Sequence, residues 1–111
     1  LDEYFAEARE WGMDVLVEVH TEAAAHTALA MRADLIGVNN RDLATFETSL
    51  AVSEALIPLL APHALTLSES ALASRADLDR VERAGARGVL IGTTFCEAPK
   101  IEEKVREVMG W

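Results

Sequence analysis

Leu35-Ile36-Gly37-Val38 is a short apolar run that stops abruptly at Asn39-Asn40-Arg41-Asp42, and this change of character sets the reading of the whole chain. So short an apolar run, bounded by turn-forming residues, reads as a strand buried on both faces rather than as a helix. The same plan recurs on either side. Upstream, residues 15–19 read Val-Leu-Val-Glu-Val and close on His20-Thr21; downstream, 64–68 read Ala-Leu-Thr-Leu-Ser and close on Glu69-Ser70. A fourth run over 88–91, Gly-Val-Leu-Ile, closes on Gly92-Thr93-Thr94.

Helical patterns separate these runs. The spacing predicts helices over 2–11 (stopped by Gly12), over 22–31, from a Thr48 or Ser49 cap to 60, and from Ser74 to Gly85. A last helix is predicted over 101–109, just after Pro99. Ser74 with Asp77 has the spacing of a reciprocal N-terminal cap, and Gly85 stands where a left-handed C-terminal stop belongs. Strand alternating with helix is the rhythm of a parallel sheet with helical crossovers. The fold class is therefore α/β in a single domain over 1–111: four parallel βα units. They can form either a small doubly wound sheet or half of a (β/α)8 TIM barrel.

Composition narrows the function. The chain has 111 residues, half of them hydrophobic, enough for a real core. Its 19 acidic and 10 basic residues leave a net charge of −9 with no basic stripe, which argues against nucleic acid as a partner. No run approaches the roughly 18 apolar residues of a membrane span, and the first residues lack a basic leader, so neither membrane nor export is expected. The single Cys96 has no internal partner for a disulfide, which fits a reducing, cytoplasmic setting. No metal-ligand cluster is visible, and Cys96, Trp11 and Trp111 read as packing residues.

The chemistry gathers at the strand ends. Strand residues alternate between faces, so Leu16, Glu18 and His20 share one face, opposite Val15, Val17 and Val19. Leu35, Gly37, Asn39 and Arg41 share the corresponding face of the second strand; Leu65, Leu67 and Glu69 that of the third; Gly88, Leu90 and Gly92 that of the fourth. In parallel α/β architectures the C-terminal edge is where ligands bind. Glu18 and Glu69, at matching depth, form an acid/base pair, because two carboxyls in a half-dry pocket separate in pKa. The structural alternative is an ion pair with Arg41. Arg41 offers a planar fork for a carboxylate or phosphate, and Asn39 a neutral donor and acceptor beside it. Gly92-Thr93 leaves backbone N–H groups open near a helix start, which suits phosphate, although strand-to-helix turns use glycine anyway.

The segments Val17-Glu18-Val19-His20-Thr21, Leu35-Ile36-Gly37-Val38-Asn39-Asn40-Arg41-Asp42-Leu43, Ser68-Glu69-Ser70 and Leu90-Ile91-Gly92-Thr93 resemble strand ends five to eight of indole-3-glycerol phosphate synthases. The Asn-Asn-Arg-Asp-Leu run with the later Ser-Glu-Ser is the specific part; the Ile-Gly-Thr turn occurs in many phosphate-binding barrels. The resemblance implies the second half of a TIM barrel and closure of the pyrrole ring of 1-(2-carboxyphenylamino)-1-deoxyribulose 5-phosphate, with loss of carbon dioxide and water, without metal or organic cofactor. Carried over by position, it implies Glu18 as general base, Glu69 as second carboxylate, and Asn39 and Arg41 as contacts to the anthranilate end. Ser70, Gly92 and Thr93 would hold the phosphate.

Two departures from the family pattern stand out. Ala71 replaces the glycine of the usual Ser-Glu-Ser-Gly, and the only lysines, Lys100 and Lys104, lie far from any strand end. The family's acid catalysis depends on lysines of early strands, so a preceding half-barrel is the implied partner. Self-association, as in a non-catalytic or engineered phosphate-binding half-barrel, is the alternative. A different phosphate-binding barrel isomerase is a third reading, which the Asn39-to-Leu43 run disfavours.

Overall fold

The computed structural model describes residues 15–42, 44–91 and 100–109. The elements are β1 (Leu16–Val19), α1 (Glu22–Ala30), β2 (Leu35–Asn39), α2 (Ala51–Leu60), β3 (Leu65–Glu69), α3 (Arg75–Ala84), β4 (Gly88–Leu90) and α4 (Ile101–Met109). The helix expected over 2–11 and the Gly92-Thr93 turn lie outside the described residues.

The strands are all parallel and stand in the order β1-β2-β3-β4. That order decides between the two architectures. A doubly wound sheet needs a point where strand order reverses, so that helices cover both faces; here each strand is added beside the last. Burial agrees: among the described residues the helices cover one face only. Val17, Val19, Ile36 and Val38 are buried with Ala25, Ala28, Leu56, Ile57, Leu60, Leu78 and Val81 of the helices. The opposite face leaves Leu65 51% and Leu90 46% exposed. The chain forms four parallel βα units, half of a TIM barrel.

Local chemistry explains the helix limits. Thr21 Oγ1 accepts from Ala24 N at 3.1 Å and starts α1. In α3 the reciprocal cap is complete: Ser74 Oγ accepts from Asp77 N, Asp77 Oδ2 accepts from Ser74 N, and Gly85 ends the helix at φ 118°. The start of α2 differs from expectation by a residue or two. Its N-cap position falls on Leu50, which has no capping side chain. The cause is the preceding loop: Ser49 N donates to Asn40 O at 2.9 Å, and Arg41 bridges Thr48, which holds 48–49 out of the helix. Ser49 still caps in part, its Oγ accepting from Ala51 N at 3.2 Å.

Candidate active site

The sheet register places the carboxylates. Glu18 stands opposite Gly37, Gly37 opposite Leu67, and Asn39 opposite Glu69, which in turn faces Leu90. Glu18, Asn39 and Glu69 therefore share the uncovered face, as their parity requires. The expected matching depth does not hold along the backbone: Glu69 sits one layer nearer the C-terminal edge than Glu18. The Glu69 side chain closes the difference by folding back over Gly37, and a β-carbon built there would overlap Glu69 Oε2 and stand 2.9 Å from Cδ. Only a residue without a side chain leaves the carboxylate in this place.

That placement shapes the acid/base chemistry. Glu69 is only 6% exposed, and its Oε2 has no hydrogen-bond partner. Burial first, and then the hydrogen-bonding and charge of neighbouring Glu18, push the Glu69 carboxyl up from 4.5 to about 7. The Glu69 carboxyl can thus hold its proton up to near neutrality. Glu18 itself is exposed toward the open face. Among the described residues Arg41 makes no ion pair, so the structural alternative of an Arg41–glutamate bridge does not occur.

The loop after β2 is built from its own side chains. Asn39 Oδ1 accepts from Arg41 N at 2.9 Å, which turns the chain so that Arg41 follows at the strand mouth. His20 Nδ1 lies 2.7 Å from Asn39 O; a carbonyl only accepts, so this nitrogen carries the hydrogen. His20 Nε2 lies 3.8 Å from Asp42 Oδ2. Asp42 accepts from Ala44 N and Thr45 N, and these backbone bonds hold its carboxyl below the usual range. His20 thus ties the end of β1 to the loop bearing Arg41.

A cavity of about 970 Å³ opens at the other end of the sheet, lined by Asp34, His63, Arg75, Glu82, Arg87 and Gly88 among others. It contains none of the expected site residues. Among the described residues there is no group of three or more His, Cys, Asp or Glu placed to hold a metal ion, and no helix long and apolar enough to cross a membrane.

The family model for indole-3-glycerol phosphate synthase matches residues 1–108. The chain belongs to the indole-3-glycerol phosphate synthase family. It is 41% identical over 109 residues to an indole-3-glycerol phosphate synthase of Dehalococcoides mccartyi, covering 98% of this chain and 42% of the relative. It is 44% identical over 111 residues to that of Halalkalibacterium halodurans, covering 99% and 43%. To that of Opitutus terrae it is 46% identical over 95 residues, covering 86% and 36%. The chain spans about two fifths of the length of these curated relatives.

Two features of this synthase-family segment bear on what the sequence alone could show, the first flagged by Ala71 and the second missed. Ser70 and Ala71 both adopt left-handed backbone, at φ 67° and 60°. The family's glycine at position 71 is a signal for that conformation, which here an alanine adopts. The second feature is Asn40. It is 0% exposed, and its Nδ2, with two hydrogens, serves three acceptors: Ser68 Oγ at 2.9 Å, and Glu69 O at 3.0 Å and Ser70 O at 3.1 Å, which share one of the two. Asn39 and Arg41 drew attention because their parity matches the uncovered face. Asn40 points the other way, into the core, and alternation alone marks such a residue as unremarkable.

Proposed function

We propose that this chain is the C-terminal part of an active indole-3-glycerol phosphate synthase. In this reading it supplies substrate binding and the carboxylate pair for the conversion of 1-(2-carboxyphenylamino)-1-deoxyribulose 5-phosphate to the indole product in tryptophan biosynthesis. The observation that carries the reading is Glu69 folded over Gly37 and held near neutral pKa beside Glu18. Ring closure joins the aryl carbon bearing the carboxylate to the substrate's carbonyl carbon, and the carbonyl oxygen takes a proton. Carbon dioxide then leaves, its bonding electrons restoring the aromatic ring, and loss of water completes the pyrrole. Glu18 acts as general base, and Glu69, its carboxyl pushed up to about 7 and so partly protonated near neutrality, relays protons in the dehydration.

Asn39 and Arg41 hold the anthranilate carboxylate, for which a planar fork beside a neutral amide is suited. Ser70 with the Gly92-Thr93 turn holds the phosphate through hydroxyl and backbone N–H groups, which outweigh an unfavourable net charge locally. The proton for ring closure comes from a lysine that this chain does not contain, on strands of a preceding half-barrel. No cofactor is needed, and the setting is cytoplasmic.

The test is complementation. Mixed or co-expressed with a fragment carrying the first four barrel strands, the chain should form indole-3-glycerol phosphate. Glu18→Gln and Glu69→Gln should each lower turnover by about 10²–10⁴-fold. A complemented barrel that binds inorganic phosphate, with amide shifts at Ser70, Gly92 and Thr93, yet never turns over would favour the second reading. That reading is a non-catalytic, self-associating phosphate-binding module, and the half-exposed Leu65 and Leu90 speak for it.

A further inference from the structure

The hydrogen-bond pattern around Asn40 is closed. Ser53 Oγ donates to Asn40 Oδ1 at 2.7 Å, since an amide oxygen only accepts. The Ser53 proton being thus committed, the 2.7 Å contact between Ser53 Oγ and Ser68 Oγ has Ser68 as donor. Ser68 Oγ in turn accepts from Asn40 Nδ2. The three buried side chains form a ring in which every O–H and N–H points the same way round, fixing which amide atom is nitrogen. Ser53 N adds a second bond to Asn40 Oδ1 at 3.2 Å, so the ring also ties α2 to β2 and β3.

The ring has an outward branch. Asn40 Nδ2 reaches Glu69 O and Ser70 O, and Asn40 N donates to Glu69 O at 2.9 Å. These carbonyls lie on either side of Ser70, the first of two successive left-handed residues, Ser70 and Ala71. Two successive non-glycine residues in that region are unfavourable on their own. Something must hold them there, and Asn40 holds both carbonyls.

We propose that Asn40 is a positioning residue: by gripping the Glu69 and Ser70 carbonyls it keeps the Ser70-Ala71 turn left-handed, aims the Glu69 carboxyl over Gly37 and presents Ser70 at the pocket. Asn40 touches no ligand in this arrangement; it acts through the turn. Its value for catalysis rests on the reading of Glu69 and Ser70 as substrate-facing residues, whereas the positioning itself is measurable without substrate.

The experiment compares Asn40→Ala with Ser53→Ala on the chain as it stands. Ser53→Ala opens the ring but leaves the two carbonyl bonds of Asn40 in place. Three quantities are read for each variant: urea stability, the HN–Hα couplings and carbon shifts of Ser70 and Ala71, and the ¹³C titration of the Glu69 carboxyl. Both variants should lose stability. Only Asn40→Ala should move Ser70 and Ala71 out of the left-handed region and bring the Glu69 titration down from about 7 toward 4.5. Should Asn40→Ala be unable to fold, Asn40→Ser, which leaves room for a bridging water, is read in the same way. Native couplings and a native Glu69 titration in the asparagine variant would overturn the proposal and leave Asn40 a packing residue. A displaced Glu69 titration with unchanged turnover in the complemented barrel would support the positioning role and count instead against catalysis by Glu69.

Discussion

The carboxylate of Glu69 occupies the space that any side chain at Gly37 would fill. The pair links a strand residue with no side chain to an acid whose ionisation depends on being covered. Replacing Gly37 by alanine must therefore move the acid. Glu69 Oε2 is the end of a flexible side chain and can swing toward solvent, while Leu16 Cδ1, 3.3 Å from the added carbon, has to yield slightly. Gly37→Ala should cost only on the order of 1 kcal/mol or two, within the usual range for overpacking. The decisive change should be electrostatic: a ¹³C titration should find Glu69 back near the ordinary carboxylate range. A variant that kept a titration near neutrality would show that covering by Gly37 is irrelevant.

Stability should depend on pH through the same group. Glu69 is raised from 4.5 to about 7 by folding, so the folded state holds its proton more tightly than the unfolded state. Its favourable contribution is fully present below pH 4.5 and is lost as pH rises through about 7. The difference across that window is on the order of 3 kcal/mol. Asp42 and Glu54, whose carboxyls are lowered, act in the opposite sense and in a more acid window. Glu69→Gln should therefore be more stable than the native chain above pH 7 and lose this advantage toward pH 4.5. Parallel curves for the two proteins, from urea titrations at several pH values, would contradict a buried, proton-holding Glu69.

Alternation of apolar and polar residues made the uncovered face legible, because Glu18, Asn39 and Glu69 follow strand parity without help from distant contacts. The capping box of α3 was legible for the same reason: Ser74, Asp77 and Gly85 act within one helix. The order of the strands was legible only through the family resemblance, because a doubly wound sheet and a barrel arc share the same βα rhythm and only the sequential pairing of neighbouring strands separates them. Asn40 stayed hidden because its value lies in Ser53, Ser68 and Ser70, up to 30 residues away. The layer offset of Glu69 stayed hidden because register, unlike parity, is a property of two strands.

Ala71 offers a change that should improve the protein. At φ 60° an alanine bears the left-handed penalty of about 1–2 kcal/mol. Glycine removes it but adds roughly 0.4–1 kcal/mol of unfolded-state entropy. Ala71→Gly should thus stabilise the chain by about 0–1.6 kcal/mol, centred near 1 kcal/mol, read as a higher urea midpoint at unchanged slope. A destabilised glycine variant would show that the Ala71 methyl, which packs against the core, outweighs the backbone strain.

Association is the last consequence of the uncovered face. Among the described residues β1 pairs only with β2 and β4 only with β3, so each outer strand has an open edge. Leu65 and Leu90 are half exposed on the face that a closed barrel would fill. Covering the exposed half of each contributes about 1 kcal/mol, half the value for a full leucine. In a symmetric pair the four side chains together give about 4 kcal/mol, which only matches the lower end of the roughly 4–15 kcal/mol cost of association. The remainder must come from new strand pairing at the edges, so association should be weak and concentration-dependent rather than tight. Sedimentation velocity over a range of concentrations should show a reversible rise in mass, and Leu90→Glu should shift it toward monomer. No indole-forming turnover should accompany the assembled species, because doubling the chain duplicates Glu18 and Glu69 but adds no strand-end lysine. A strict monomer at high concentration would refute the packing argument, and turnover by the chain alone would refute the assignment of the acid to a preceding lysine.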